Sequence, residues 1–533
     1  NGSELTDMQR GVNIVYDAVQ AGKYIRIMGD YDVDGVSSTY ILYKGLTGLG
    51  AKCDKFIPHR ITDGYGLHEP AIRDAYDAGV QVILTCDNGI AAIDEIAWAK
   101  AQKMTVLVTD HHAVPFEEHE GRRTEKKSLA DAVVNPHQQD CRYPYKELCG
   151  AGVAWNVIRV LYENYDMDKR EAEDLLDFVA MATVCDVMSL TGENRILVKE
   201  GLKRIRHTKN IGLQALMQAC NVQPENISAY HFGYVLGPCV NATGRLDTAR
   251  HALRLFETGQ ETEAEEIARD LVDLNQERKE LTLQGVEMAK KLCEEGGYEN
   301  DPILVLFLPD VHESIAGLIA GRIREMYNRP VFVLTRGEEG VKGSGRSTEN
   351  YSMYENMCGC AELFTKFGGH PMAAGLSLPE ENVEKFRRKI NENCPLTVEE
   401  VCPDIHIDMA MPVGYASTEL VHQFALLEPF GKDNPSPLFA DRNLSISRMW
   451  VIGKNRNVLR MSVLSEYGQP VPVIFFGDVE TLFAYFTEKF GQEEVENALH
   501  GRKNRILFSM VYTAKIDFYQ GNENLQLEMK YYR

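Results

Sequence analysis

The 533-residue sequence has no long apolar run. Its longest candidates, such as residues 303–308, have the length of a strand. A bilayer-spanning helix needs roughly 20 apolar residues, so a membrane span is not expected. The start is polar and does not read as a secretory signal. It opens Asn1-Gly2-Ser3 without Met, which suggests a trimmed start. Clustered cysteines are also missing. The twelve are scattered, only Cys358 and Cys360 lie close together, and C-x-C alone is not a zinc pattern. Free thiols and a cytoplasmic location are expected. Positive charge is scarce as well. There are 57 Lys and Arg against 78 Asp and Glu, a net charge of −21, which argues against broad electrostatic coating of nucleic acid. Two features weaken that exclusion. A site that holds metal ions must be rich in carboxylates, and the acidic stretch 257–301 can sit on a solvent face far from any substrate. No internal repeat or low-complexity tract is visible.

What is present is a soluble globular composition, 44% hydrophobic and 25% charged. The length implies about three or four domains. Residues 24–28, 80–84, 105–108 and 132–134 read as strands, with helices over 36–49 and 91–102 between them. Strands alternating with helices predict an α/β fold with a parallel sheet and right-handed crossovers. Helices dominate 152–216. The proline-free charged stretch 248–295 reads as one helix connecting two lobes. A second α/β unit follows, with strands at 303–308 and 331–334 around a helix over 315–327. From about residue 402, short alternating strands suggest a small β-barrel. The expected domains are therefore 1–215, a helical connector 216–298, a smaller α/β domain 299–400 and a β-rich domain 401–533.

The acids fall at informative places. Gly29-Asp30-Tyr31-Asp32-Val33-Asp34-Gly35 follows the first strand, Cys86-Asp87-Asn88-Gly89 the second, and Thr109-Asp110-His111-His112 the third. In an open parallel sheet, ligands bind beyond the carboxyl ends of the strands. Three strand ends thus deliver acids and two histidines to one edge. A fourth candidate, Asp186, ends the apolar helical run 179–186. A single Asp after a strand is usually a helix N-cap, and an isolated His pair is usually surface. Four acidic motifs in this order are hard to ascribe to caps. Carboxylate and imidazole suit divalent ions of the manganese and magnesium kind. Carboxylates forced together repel unless cations neutralise them. Two ions about 3.5–4 Å apart can clamp the attacking and leaving oxygens of a phosphoryl transfer.

These motifs, with Val184-Cys185-Asp186-Val187-Met188, resemble the four motifs of the DHH phosphoesterase superfamily. The resemblance implies that Asp30, Asp32, Asp34, Asp87, His111 and Asp186 line the metals, with Asp87 bridging. Asp110 would orient the histidine pair, and His112 would face the scissile phosphate or assist the metal shell. Further stretches resemble the RecJ family within that superfamily. Residues 58–67 are similar to a loop in which an arginine precedes Gly-Tyr-Gly-Leu, although that family commonly has Asn where this chain has His59. Cys239-Val240-Asn241-Ala242-Thr243-Gly244-Arg245-Leu246-Asp247 is similar to its N-A-x-G-R-L-D motif. Gly343-Ser344-Gly345-Arg346 and residues 367–375 resemble the DHH-associated domain. Leu427-Glu428-Pro429-Phe430-Gly431 resembles the segment leading into a C-terminal OB-fold.

Arg60, Arg245 and Arg346 are planar donors suited to phosphate oxygens. Gly343-Ser344-Gly345 is read as a nest offering backbone N–H groups to an anion. It is not a Walker loop, because no Gly-Lys-Ser/Thr follows. The resemblance implies that Arg60, Ser344, Arg346 and His370 hold a DNA strand near its 5′ end. It also implies a single-strand-specific 5′-to-3′ exonuclease releasing mononucleotides in DNA repair and recombination. Two divalent ions, manganese or magnesium, would serve it, and a helicase and a single-strand-binding protein are the partners it suggests. A monomer is expected. In the tail, Trp450, Phe475 and Phe476 are candidate base-stacking groups, each weighed more as core than as platform. RecJ proteins usually carry a segment before the first strand, where about twenty residues stand here, so that segment has been removed or the chain is a compact homologue. Two alternatives are a short-oligonucleotide or cyclic-dinucleotide phosphodiesterase and a non-catalytic replication or repair scaffold. The β-rich tail counts against the first, and the intact acids and histidines against the second.

Overall fold

The computed structural model describes residues 2–533 apart from 61–62, 64–65, 120–121, 299–300, 338–339, 395, 397–404, 454–456 and 520–521. The chain divides into two compact units, residues 1–403 and 404–533.

The first unit holds two sheets. Strands β1 (Ile25–Met28), β2 (Cys53–Phe56), β3 (Val82–Cys86) and β4 (Thr105–Thr109) precede a small hairpin, β5 (Phe116–His119) with β6 (Arg122–Glu125), and then β7 (Ala132–Val134). The main sheet runs β2-β1-β3-β4-β7 and every pairing in it is parallel. Strands β1 and β3 are buried along their whole length, as expected of a sheet covered on both faces. β2 escaped the sequence reading because Cys-Asp-Lys-Phe is short, half polar and only half buried at the sheet edge. The helix Met8–Gln20, also unforeseen, buries Met8, Val12 and Val15 in the same core.

The second sheet contains β8 (Leu304–Phe307), β9 (Val331–Gly337), β10 (Gly340–Arg346), β11 (Lys366–His370) and β12 (Ala373–Leu378), in the order β11-β12-β10-β9-β8. β8 and β9 are parallel and flank the helix Ala316–Tyr327, while the remaining pairings are antiparallel.

The expected single connecting helix is two. Ala249–Glu257 ends at Thr258, whose backbone is extended, and Glu261–Glu295 follows. The longer helix has 35 residues, about 52 Å at 1.5 Å per residue. Ala264, Ile267, Ala268 and Leu271 pack into the core of the first sheet, and Val286, Ala289 and Cys293 into that of the second. One helix thus belongs to both cores. Gly285 is where it meets the helix Ala316–Tyr327, since a Cβ there would lie 2.3 Å from the Ile319 Cδ1.

The second unit has β13 (Met409–Ala410), β14 (Phe439–Ile452), β15 (Val458–Leu464), β16 (Pro470–Phe475), β17 (Leu507–Tyr519) and β18 (Asn522–Tyr532). They run β13-β14-β15-β16-β18-β17, and β14 also pairs with β17, closing the order into a ring. Helices Val479–Phe490 and Gln492–Leu499 stand between β16 and β17. They were absent from the all-strand expectation, because Val479, Leu482 and Phe486 supply an apolar helical face inside a β-rich stretch. The 427–431 segment is tied down by Asn434, whose amide donates to the carbonyls of Leu427 and Pro429, each at 2.8 Å. Phe475 is buried, as weighed, whereas Phe476 is exposed and Trp450 is 37% exposed. Among the described residues, no helix is long and apolar enough to cross a membrane.

One buried acid gives a stability test. Asp177 accepts from the Thr208 hydroxyl and the Phe178 N–H, and burial pushes its carboxyl up to about 6. A raised folded value favours the protonated form, so its stabilising effect is complete below the unfolded value of 3.8 and is lost as pH rises through about 6. That difference amounts to about 3 kcal/mol at most. Asp177→Asn should therefore raise the melting temperature at pH near 7.5 and have little effect near pH 4. Thermal denaturation at the two pH values checks this.

Candidate metal centre

The loop after β1 is folded back on itself. A Cβ at Gly29 would lie 1.9 Å from the Thr39 hydroxyl, and one at Gly35 would lie 2.4 Å from the Asp30 carbonyl. Asp32 caps the following helix, Val33–Gly48. Its Oδ1 accepts from the N–H groups of Asp34 at 2.9 Å and Gly35 at 3.0 Å. The helix therefore begins three residues earlier than the reading of 36–49, and Asp34 is carried on its first turn. Both Asp34 oxygens accept backbone N–H groups, from Gly150 and Ala151, each at 2.7 Å. Those groups open the helix Gly150–Asn164, whose N-terminus favours negative charge.

Asp87 follows β3 with a left-handed backbone, φ 59°, unusual for a residue with a Cβ. Its side chain rests on Gly150, where a Cβ would come within 2.7 Å of its own Cβ. Asp110 follows β4 and does not face the cluster with a bare oxygen. Its Oδ1 accepts from the N–H of His111 at 2.7 Å and of His112 at 3.0 Å, and contacts the His112 Nδ1 at 2.7 Å. Its Oδ2 accepts from the Ile90 N–H at 2.9 Å. Burial alone would raise this carboxyl, yet the bonds from His112 hold it below its ordinary value. An anionic Asp110 fixes the His112 ring with Nδ1 as donor, so Nε2 is the nitrogen turned outward.

His111 is buried, and its Nε2 lies 3.0 Å from Asp87 Oδ1, 3.6 Å from Asp34 Oδ2 and 3.7 Å from Asp186 Oδ2. Asp186 caps the C-terminus of the helix Leu176–Cys185. Ligand atoms converge in three sets, Asp30–Asp32–Asp87, Asp87–His111–His112 and Asp34–His111–Asp186, each within 4.8 Å. Asp87 and His111 each belong to two sets. The acids, His111 and His112 predicted from the sequence are thus brought together.

The donor chemistry fits divalent cations. Asp30 Oδ1, Asp87 Oδ1 and His111 Nε2 are buried without a hydrogen-bond partner. Burial and Asp32 push Asp30 well above the carboxylate range, and burial with Asp34, Asp32 and Asp186 does the same to Asp87. Burial also pushes His111 down, towards the neutral form that ligates. An octahedral ion with bonds of about 2.0–2.1 Å puts adjacent ligand atoms about 3 Å apart. That matches the 3.0 Å between His111 and Asp87. This cluster can hold a metal.

A cavity of about 730 Å³ in the same unit is lined by Tyr31 and Arg60, by Ser314 in the short helical turn Glu313–Ile315 and, from the second sheet, by Lys342, Ser344 and Lys366. The nest expected at Gly343-Ser344-Gly345 is not there. These residues lie in β10, which is paired on both sides, so the ladders occupy its backbone. The glycines serve packing instead. A Cβ at Gly343 would meet Leu334 at 2.4 Å, and one at Gly345 would meet Met353 at 2.6 Å. Strand alternation turns Lys342, Ser344 and Arg346 to the opposite face. Lys342 and Lys366 went unnoticed in the sequence, although Lys342 stands two residues before Ser344 and alternation could have found it.

Arginines crowd this region. The Arg60 guanidinium lies 5.0 Å from the Tyr31 ring centre, and Arg245 donates to the Ser314 carbonyl at 2.7 Å. Burial, with Arg60, Arg278 and Arg346 nearby, pushes Arg245 down to about 9. Burial and Arg60 also lower Arg346. The motif around Arg245 is a clamp. Asn241 accepts from the Val33 N–H at 3.1 Å, and Gly244 allows the Tyr31 carbonyl to approach where a Cβ would be 2.5 Å away. His370, at the end of β11, is exposed and does not line the cavity. Of the 58–67 loop, residues 61–62 and 64–65 lie outside the described residues.

Residues 24–183 match the DHH family, N-terminal domain, residues 300–394 the DHHA1 domain and residues 407–531 the RecJ OB domain. The chain is 32% identical to the single-stranded-DNA-specific exonuclease RecJ of Haemophilus influenzae, over 100% of this chain and 91% of that one. It belongs to the RecJ family. The RecJ of Bacillus subtilis is 33% identical over 87% of this chain, which spans 58% of that relative's length. The crystal structure of RecJ with Mn2+ from Thermus thermophilus superposes with a TM-score of 0.79 at 27% identity, covering 99% of this chain and 72% of that one. The same RecJ has also been solved with Mg2+. The RecJ-family membership accounts for the DHH sheet, the DHH-associated sheet and the OB unit together.

If the buried carboxylates are balanced by cations, Mn2+ should raise the melting temperature of the wild type and chelation should lower it. Asp87→Ala should largely abolish that response while keeping the far-ultraviolet circular dichroism of the fold. A response to Mn2+ equal in both proteins would remove Asp87 from the metal centre.

Proposed function

We propose that this chain is a single-strand-specific DNA exonuclease that works from the 5′ end, hydrolyses phosphodiesters to mononucleotides and acts in DNA repair and recombination. The observation that carries the reading is the full acid and histidine cluster beside an arginine- and lysine-lined cavity within one compact unit. Asp30, Asp32, Asp34, Asp87, His111 and Asp186 would hold two divalent ions, Mn2+ by preference, with Asp87 shared. Such ions supply charge neutralisation and a water acidic enough to attack near neutral pH.

The chain's own groups do the rest. Asp110 orients His112 through the 2.7 Å contact at its Nδ1, so that its Nε2 would meet the scissile phosphate. Asp34 is immobilised by the Gly150 and Ala151 N–H groups, which aligns it without reorganisation. Arg60, Ser344 and Arg346 would take the 5′-terminal phosphate, Arg245 would support them, and His370 would contact the strand from the exposed edge. The cavity is in the size range of sites that enclose one small ligand, which suits a single terminal nucleotide. A passage of that size would reject a duplex by steric exclusion.

The domains we assign are 1–215, 216–298, 299–400 and 401–533, the last an OB-fold that would bind single strands. The protein would act as a cytoplasmic monomer, with a helicase and a single-strand-binding protein as partners.

The test is degradation of single-stranded DNA labelled at either end, beside a blunt duplex and a matching RNA, with Mn2+. Loss from the 5′ end that spares the duplex and is absent in Asp87→Ala and His111→Ala is expected. Inert long DNA with cleaved dinucleotides would instead indicate a small-substrate phosphodiesterase. Arg346→Ala should weaken single-strand affinity roughly tenfold and flatten its dependence on salt. Unchanged affinity across a salt series would dismiss Arg346 as a phosphate ligand.

A further inference from the structure

Two large aromatics stand in water on a segment whose backbone packs against Val184 and Cys185, next in sequence to Asp186. Tyr230 is 62% exposed and Tyr234 71% exposed, and their rings stack with centroids 5.1 Å apart and planes 24° from parallel. Tyr230 sits on the short helical turn Ala229–His231, and Tyr234 on the unusual piece of backbone directly after it, a five-residue π-helical segment, Phe232–Leu236. Such segments are rare and frequent at functional sites. The inner side of this one is fixed, because Phe232 and Leu236 are fully buried. It is also seated on the end of the helix that carries Asp186. The Cys185 thiol donates to the Phe232 carbonyl at 3.3 Å. A Cβ at Gly237 would lie 2.2 Å from the Cys185 sulfur, and one at Gly233 would lie 3.4 Å from Val184 Cγ1. The backbone that carries the stacked pair is therefore anchored at Val184 and Cys185, which precede Asp186, with both rings largely exposed.

Its place along the substrate path follows from one helix. Gly237–Leu246 begins at this segment and ends beside the cavity, where Arg245 bonds to Ser314. Midway, Asn241 holds the loop of Asp30, Asp32 and Asp34 through the Val33 N–H. Its ten residues span about 15 Å. A stacked strand advances about 3.4 Å per nucleotide, so this length covers roughly four stacked nucleotides, or fewer extended ones. The cavity and the segment that carries the tyrosines thus lie at opposite ends of this helix, with the loop of Asp30, Asp32 and Asp34 held midway.

We propose that Tyr230 and Tyr234 form a base-stacking platform for the strand on the 3′ side of the scissile bond. The inference rests on the exonuclease reading above. If the 5′-terminal nucleotide occupies the cavity, the bases that have yet to enter reach the tyrosines. Stacking suits an enzyme indifferent to sequence, because every base has a π-face. A rigid, preformed pair binds with little loss of freedom. The platform would also keep the shortened strand in place between cuts.

The decisive comparison is steady-state hydrolysis, with Mn2+, of a 5′-phosphorylated dinucleotide and of a long oligothymidine. A dinucleotide is too short to reach the platform. Tyr234→Ala should raise KM roughly tenfold on the long strand and leave the dinucleotide unchanged. Tyr234→Phe should behave as wild type, since the ring and not the hydroxyl stacks. A long strand whose residues beyond the second lack bases should lose its advantage with the wild-type enzyme. Equal KM for wild type and Tyr234→Ala on long DNA would overturn the platform, and so would an equal loss on both substrates, which would mark a structural role. Wild-type enzyme that leaves long DNA intact but cleaves the dinucleotide would overturn the exonuclease reading itself, and the platform with it.

Discussion

Everything at the centre of this protein depends on carboxylates brought close together in a place from which water is largely excluded. Asp30, Asp34 and Asp87 are nearly fully buried at the ends of adjacent parallel strands. Left to themselves, they would repel or take up protons. The fold meets this partly with its own backbone. The first turn of one helix is capped by Asp32, and the first N–H groups of another are given over to Asp34. What remains are oxygens and an imidazole nitrogen without partners, the signature of a site finished by cations.

The same constraint explains residues that carry no chemistry. Gly150 is small because the Asp87 side chain needs its space, and Gly35 because the loop after β1 must close on Asp30. Asp110 spends its oxygens on His111, His112 and Ile90, so it acts on the histidines. On the other side of the cavity, guanidinium groups crowd one another in place of carboxylates. An anionic phosphodiester would relieve the crowding of the guanidinium groups, as cations would relieve that of the carboxylates. The helix Gly237–Leu246 and the 35-residue helix keep the two sides in fixed relation, one through Asn241 and Arg245 and the other by sharing two cores.

Strands β1, β3, β4 and β7 were legible because buried parallel strands are continuous apolar runs, and β8 and β9 likewise. β2 was not, since an edge strand needs little hydrophobicity. The long charged stretch read as one helix, although Gly259 directly after Thr258 marks the break, beyond which the chain turns after burying Phe256. The Gly-Ser-Gly-Arg stretch was misread as a nest for a different reason. Local chemistry suggested an open loop, and only the neighbours Leu334 and Met353 reveal that the glycines are there to make room in a sheet.

By itself, the sequence determined which acids and histidines form the centre, that they lie at strand ends, and to which family the chain is similar, because periodicity and motif spacing are local properties. The tertiary structure alone decided which carboxylate oxygens accept from the backbone, both of them at Asp34 and Oδ1 at Asp32, and that Asp30 Oδ1 and Asp87 Oδ1 have no hydrogen-bond partner. It also decided that β10 turns Lys342, Ser344 and Arg346 to one face, that Tyr230 and Tyr234 stack on each other, and that the segment of Tyr234 is bonded to Cys185. Those facts rest on contacts between residues distant in the chain, whose energies depend on distance and burial and leave no trace in residue order.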